Sequence, residues 1–96
     1  MAQFITRVEL HGKGHNEPAY QQLHLAMEAK GFKRTISSGD NKEYNLPPAE
    51  YNLISNIQMS DVLELAKQAA NSVTINNAVL VSHIYQATWD GMTIKK

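Results

Sequence analysis

From Phe4 to Gly12, mainly apolar positions alternate with mainly polar ones. Phe4, Val8 and Leu10, with Thr6 among them, fall on one side. Ile5, Arg7, Glu9 and His11 fall on the other. A period of two in a run rich in β-branched and aromatic residues predicts a strand. Its first side suits a core and its second a polar platform, the pattern of a central strand in a sheet covered on one face.

The period then changes. Tyr20, Leu23, Ala26 and Met27 recur at helical spacing and predict a helix over Glu17–Lys30, with Asn16 as N-cap, Pro18 in the first turn and Gly31 as the left-handed stop. Phe32–Ser37 predicts a second strand, in which Arg34 interrupts the apolar side and calls for a bulge or partial burial. Ser38–Lys42 is dense in turn residues. Glu43–Tyr51 carries strand character that Pro47-Pro48 interrupts, and that character resumes over Ala49–Ile54. Val62, Ala66, Ala69 and Val73, flanked by Leu63 and Ala70, predict a second helix from Ser60 to about Asn71-Ser72. A turn over Thr74–Asn77 leads to a last strand, Ala78–Tyr85. The tail holds Trp89 and Asp90-Gly91, a short strand or a cover over the core edge, and Lys95 and Lys96 are expected to fray.

The order β-α-β-β-α-β in one domain, 1–96, predicts an α+β, ferredoxin-like sandwich: a four-stranded antiparallel sheet with two helices on one face. The other face is left open or covered by a partner. Arg7, Glu9 and His11 are expected to lie exposed on it.

Composition narrows the function classes. Nine basic residues balance nine acidic ones, so no overall field draws in a polyanion, and nucleic acid needs a local patch. There is no cysteine, which excludes disulfides and thiolate chemistry. No apolar leader and no run of membrane-spanning length is visible, so a cytoplasmic protein without membrane contact is expected. Gly12-Lys13-Gly14 lacks the further glycine of a dinucleotide loop and the Lys-Ser/Thr ending of a phosphate loop, and reads as a plain connection. It offers the only hint of a small-molecule sensor. His11 and His15 with Glu9 or Glu17 are the nearest approach to a metal set. Nothing enforces metal geometry there, so no metal and no small-molecule cofactor are expected.

Arg7, Glu9 and His11 stand about 6.5–7 Å apart in succession along one side of a strand. A guanidinium can hold a phosphate, an imidazole can move a proton near neutral pH, and a carboxylate can orient it or act as base. These are the parts an RNA-cleaving site needs. The plain alternative is a solvated face laced with cross-strand charge pairs, which is the default for an open sheet. Arg34 and Lys33, with His24 on the first helix, are candidate RNA-binding residues at a sheet edge. Base-stacking aromatics of the RNA-recognition-motif type are not apparent on the open face.

Five pieces in order carry a resemblance: R-V-E-L-H-G (Arg7–Gly12), L-H-L-A-M (Leu23–Met27), G-F-K-R-T-I (Gly31–Ile36), L-P-P-A-E-Y (Leu46–Tyr51) and D-V-L-E-L-A-K-Q-A-A (Asp61–Ala70). Together they resemble the GhoS family of small bacterial proteins, whose namesake is an endoribonuclease antitoxin that cuts the messenger of its membrane toxin in a type V toxin–antitoxin pair. The resemblance implies a ferredoxin-like fold, RNA as the partner and a homodimer. It assigns no catalytic residue. The alternative is a non-catalytic module that dimerises or docks a protein through its open sheet.

Overall fold

The structure is a computed structural model that describes residues 1–95; the expectation for Lys96 lies outside the described residues. The elements run β1 (Ala2–Leu10), α1 (Pro18–Ala29), β2 (Thr35–Ser37), β3 (Glu43–Asn45), β4 (Glu50–Ser55), α2 (Met59–Val73) and β5 (Asn77–Ile84). β1 is the middle strand of an antiparallel sheet ordered β4-β1-β5. Phe4 pairs with Leu53 on one flank and His83 on the other, and Thr6 with Tyr51 and Val81.

Alternation along β1 becomes two environments. Phe4, Thr6, Val8 and Leu10 are at most 3% exposed. They join Tyr20, Leu23 and Met27 of α1, Val62, Ala66, Ala69 and Ala70 of α2, and Tyr51 and Leu53 of β4 in one core. Both helices therefore cover the same face of the sheet. Leu63 is not part of this stripe; it is 43% exposed, and Ala70 fills the inner position.

Helix ends differ from expectation in how they are capped. Glu17, not Asn16, precedes α1, and its carboxylate turns back to accept the Gly14 N–H at 3.0 Å. Gly31 follows the helix at φ +95°, where a side chain would be strained. Next to α2, Gln58 holds the cap position and Asp61 Oδ2 accepts its N–H at 3.3 Å, so the helix begins one residue before Ser60.

The largest departure concerns the expected four-stranded sheet: the main sheet has three strands, and β2 and β3 form a separate two-stranded sheet. Phe32–Ser37 forms a strand only at Thr35–Ser37. Phe32 is buried in the main core, whereas Ile36 is buried outside it. The bend at Arg34 that divides them ends the run of pairing with β4 after one bridge, Lys33–Asn52, held by reciprocal backbone bonds of 2.8 and 2.7 Å. Pro47-Pro48 makes the turn between β3 and β4. Ala49 sits there at φ +72°, Glu50 N–H donates to Pro47 O, and Val8 N–H donates to Ala49 O.

The tail returns along β3. Asn45 N–H donates to Thr93 O at 2.8 Å, and Lys95 N–H to Glu43 O at 2.9 Å. Trp89 meets Tyr44 edge to face, and Ile5, Ile36, Leu46, Trp89 and Met92 line one small apolar recess. The Gln3–Ile5 end of the outer sheet face is thus covered by the chain itself, while the Arg7–Glu9 end is left open. Among the described residues no helix is long and apolar enough to cross a membrane.

Thr6 is fully buried, and its Oγ1 has no hydrogen-bond partner among the described residues. A buried hydroxyl without a partner carries its desolvation cost unrelieved. Replacing it with a methyl of the same shape, Thr6→Val, is expected to stabilise the fold by about 1 kcal/mol. Thermal unfolding should register this as a rise of roughly 4–8 °C in Tm.

Candidate functional site

At the open end of the outer face, side chains from β1, the loop after it and α1 converge on the Glu9 carboxylate, and β4 adds a second carboxylate beside Arg7. β1 supplies Arg7 and Glu9, separated by Val8, so their side chains share a face. The tight turn at residues 47–49 leads directly into β4 and sets Glu50 opposite Arg7. Gly12, at φ +76°, reverses the chain just after β1 and brings His15 back over Glu9. α1 supplies Tyr20, whose ring is fully buried while its hydroxyl reaches the sheet end.

Arg7 lies 3.6 Å from Glu50 Oε2 and 4.0 Å from Glu9 Oε2. His15 Nε2 lies 3.7 Å from that same Glu9 oxygen. The Tyr20 hydroxyl accepts the Leu10 N–H at 2.9 Å and donates to Glu9 Oε2 at 3.4 Å. Burial raises the Tyr20 pKa, and the nearby Glu9 carboxylate adds to the rise. The phenol therefore stays protonated and acts as a fixed donor. His15 packs edge-on against Tyr20, ring centres 4.9 Å apart, which fixes the imidazole beside the carboxylate.

Arg7 and Glu9 side chains are 49% and 43% exposed. Ion pairs this open add little stability, at most about 1 kcal/mol each. Their effect is on orientation and proton chemistry. A carboxylate held between a guanidinium, an imidazole and a phenol can accept a proton through Glu9 or pass one through His15. Two carboxylates flank Arg7, so much of its charge is met within the protein.

The sequence-predicted trio is divided. Arg7 and Glu9 meet; His11 is exposed beyond the end of β1, with its backbone N–H on Asn76 O and no side-chain hydrogen bond or ion pair among the described residues. His15, weighed only as a metal ligand, takes the place beside Glu9. Among the described residues no three histidine or carboxylate groups gather closely enough to hold a metal ion.

The predicted RNA-binding set is divided as well. Lys33 and Arg34 line a cleft of about 390 Å³ with Glu28, Glu43 and Lys95, and it shares no lining residue with the recess beside Arg7 and Glu9. His24 is 7% exposed, and its Nδ1 is hydrogen bonded to the Tyr51 hydroxyl at 2.7 Å. Burial and the neighbouring Arg34 guanidinium lower the His24 pKa to about 4, and burial raises that of Tyr51. The pair is neutral, and His24 acts as a bridge between α1 and β4.

No protein-family model matches the chain, and comparison with the curated proteins and with the solved structures found no match.

His24 sets a pH dependence. The unfolded chain takes up this proton near pH 6.5 and the folded chain only near 4, so between these values unfolding binds protons and is favoured as pH falls. Stability is expected to be level above pH 7 and to drop by on the order of 2 kcal/mol between pH 6.5 and 4. A His24→Gln variant should lose that component of the slope. Urea unfolding of both proteins across this range measures the difference.

Proposed function

We propose that this chain is a small cytoplasmic, regulatory RNA-binding protein of the GhoS kind, and that Glu9 anchors a metal-independent endoribonuclease site. The observation that carries the reading is the convergence of Arg7, His15 and Tyr20 on one Glu9 oxygen. The proposal includes a ferredoxin-like order for the whole domain. It is supported by the isolated Lys33–Asn52 bridge, which sets the chain just ahead of β2 beside β4, on the edge away from β1.

In the proposed reaction a ribose 2′-hydroxyl gives its proton to Glu9 or His15 and attacks the adjacent phosphorus. The P–O5′ bond breaks, and an imidazole, His15 or His11, protonates the leaving 5′-oxygen. The products are a 2′,3′-cyclic phosphate and a 5′-hydroxyl. Arg7 moves from its carboxylates toward the phosphorane oxygens as their charge grows.

Single-stranded RNA incubated with the protein in EDTA is expected to be cut with those end groups. Glu9→Gln and His15→Ala should each slow cleavage by roughly 10²-fold or more, the range of a lost acid–base group. His11→Ala distinguishes the second proton carrier. Cleavage that is unchanged in all three variants removes the site assignment.

A second reading, a dimerisation module, has its own support. β5 is an edge strand of eight residues, Asn77–Ile84, without a lysine, an arginine, a carboxylate or a proline. Leu80 on it is 63% exposed. Such an edge presents unpaired backbone groups to a second strand. Pairing of β5 with its copy about Leu80 sets Val79 beside Val81 on the inner face. Sedimentation should then show a dimer that Leu80→Asp converts to monomer; a monomer at every concentration rejects this reading.

A further inference from the structure

The covered end of the outer face holds a second cavity, of about 330 Å³, between β1, the β2–β3 hairpin and the returning tail. Its chemistry differs from that of the Glu9 cluster. The residues that shape it include Gln3, Ser37, Tyr44, Tyr85, Gln86 and Trp89, and no charged side chain lines it. Tyr44 and Trp89 brace one another edge to face, centres 5.4 Å apart, and the backbone bonds from Asn45 and Lys95 hold the tail that carries Trp89. Tyr85 stands at the rim and is 97% exposed.

The Gln3 amide in the wall has its orientation fixed by Asn52, which lies behind it. Asn52 is buried and donates its Nδ2 to Thr35 O at 3.2 Å, so its Oδ1 must be the acceptor on the other side. Gln3 Nε2 donates to that Oδ1 at 2.9 Å. The Gln3 amide is thereby locked with Oε1 left as an acceptor. A ligand matching this wall is planar, uncharged and carries an N–H. A phosphate or carboxylate would find no cation here, and the hydroxyls of a sugar would find no carboxylate.

We infer that this cavity receives an unstacked nucleobase, held against Trp89 and Tyr85 and read by the Gln3 carbonyl oxygen. The inference rests on the RNA reading above and adds to it a place for a base. Gln3 and Arg7 lie four residues apart on the same side of β1, about 13 Å, so one RNA strand can lay a base in the cavity and its backbone across the Glu9 cluster. Stacking on aromatic rings tolerates a weakly charged protein surface, because every base has a π-face.

The chain has one tryptophan, so its fluorescence reports on this end of the outer face, and the Tyr85 and Gln3 variants tie the signal to this cavity, which they line, and not to the neighbouring apolar recess. Wild-type protein is titrated with a short oligoadenylate, with adenosine, with inorganic polyphosphate and with a neutral oligosaccharide, while a labelled RNA follows binding by anisotropy. Saturable quenching by oligoadenylate and by millimolar adenosine is expected, with none from polyphosphate or the sugar. Tyr85→Ala, at a fully exposed position, should weaken that quenching about tenfold, and Gln3→Leu should weaken it further. RNA binding seen by anisotropy without Trp89 quenching, and unaffected by Tyr85→Ala, overturns the cavity while leaving the RNA reading in place. Quenching by adenosine without any RNA binding keeps the base site and rejects the RNA reading. Equal quenching by the oligosaccharide, or none by any ligand, overturns the inference.

Discussion

Everything on the outer face depends on the phase of one strand. The even-numbered residues of β1 from Phe4 to Leu10 are buried against both helices. A slip of one position would turn Arg7 and Glu9 into the core and expel Phe4 and Val8. Burying an unpaired charge costs far more than the exposed ion pairs of this face return. The core therefore decides where the charged residues go, and the site borrows its precision from packing it does not take part in. Neighbouring strands inherit the phase through pairing, which is why Glu50 stands beside Arg7 and Asn52 beside Gln3.

Tyr20 transmits that order to the surface. Its ring belongs to the core, yet its hydroxyl accepts the last amide of β1 and donates to Glu9. The same residue thus closes the hydrogen bonding of the strand end and fixes the carboxylate. His24 and Tyr51 make a similar polar joint deeper in the molecule, between α1 and β4. There burial dominates and both groups stay neutral, so the joint is a matter of cohesion, whereas the Glu9 cluster lies open to water.

The strand phase, both helices and the glycine stop at Gly31 were legible in the sequence because each follows from local periodicity or from one residue's conformational range. The extent of β2 was not. Phe32 and Ile36 share a parity, but the bend at Arg34 sends them to different sides of the main sheet, and only tertiary contacts reveal that the second side has a small core of its own. A spacing of two, extended past Leu10, points to His11, but the strand ends at Leu10. The reversal at Gly12 then carries His15, three residues on, back to Glu9. Two glycines flanking Lys13 marked a turn without giving its direction. The tail was the least legible, since Trp89 and Met92 gain meaning only from Tyr44, Ile36 and Ile5, all distant in sequence.

Charge balance links the two ends of the outer face. Arg7 is held by two carboxylates, and the chain as a whole has formal net charge zero. A polyanion is drawn to a protein largely through released counterions, in proportion to the phosphates it neutralises. A face with one guanidinium already engaged can neutralise few. Recognition of RNA here would have to draw on contacts that do not scale with charge, such as the aromatic and amide wall formed by Gln3, Tyr85 and Trp89. The neutral cavity and the balanced cluster are in that sense complementary: one would hold a strand by its bases, and the other would act on its backbone without having to bind it tightly.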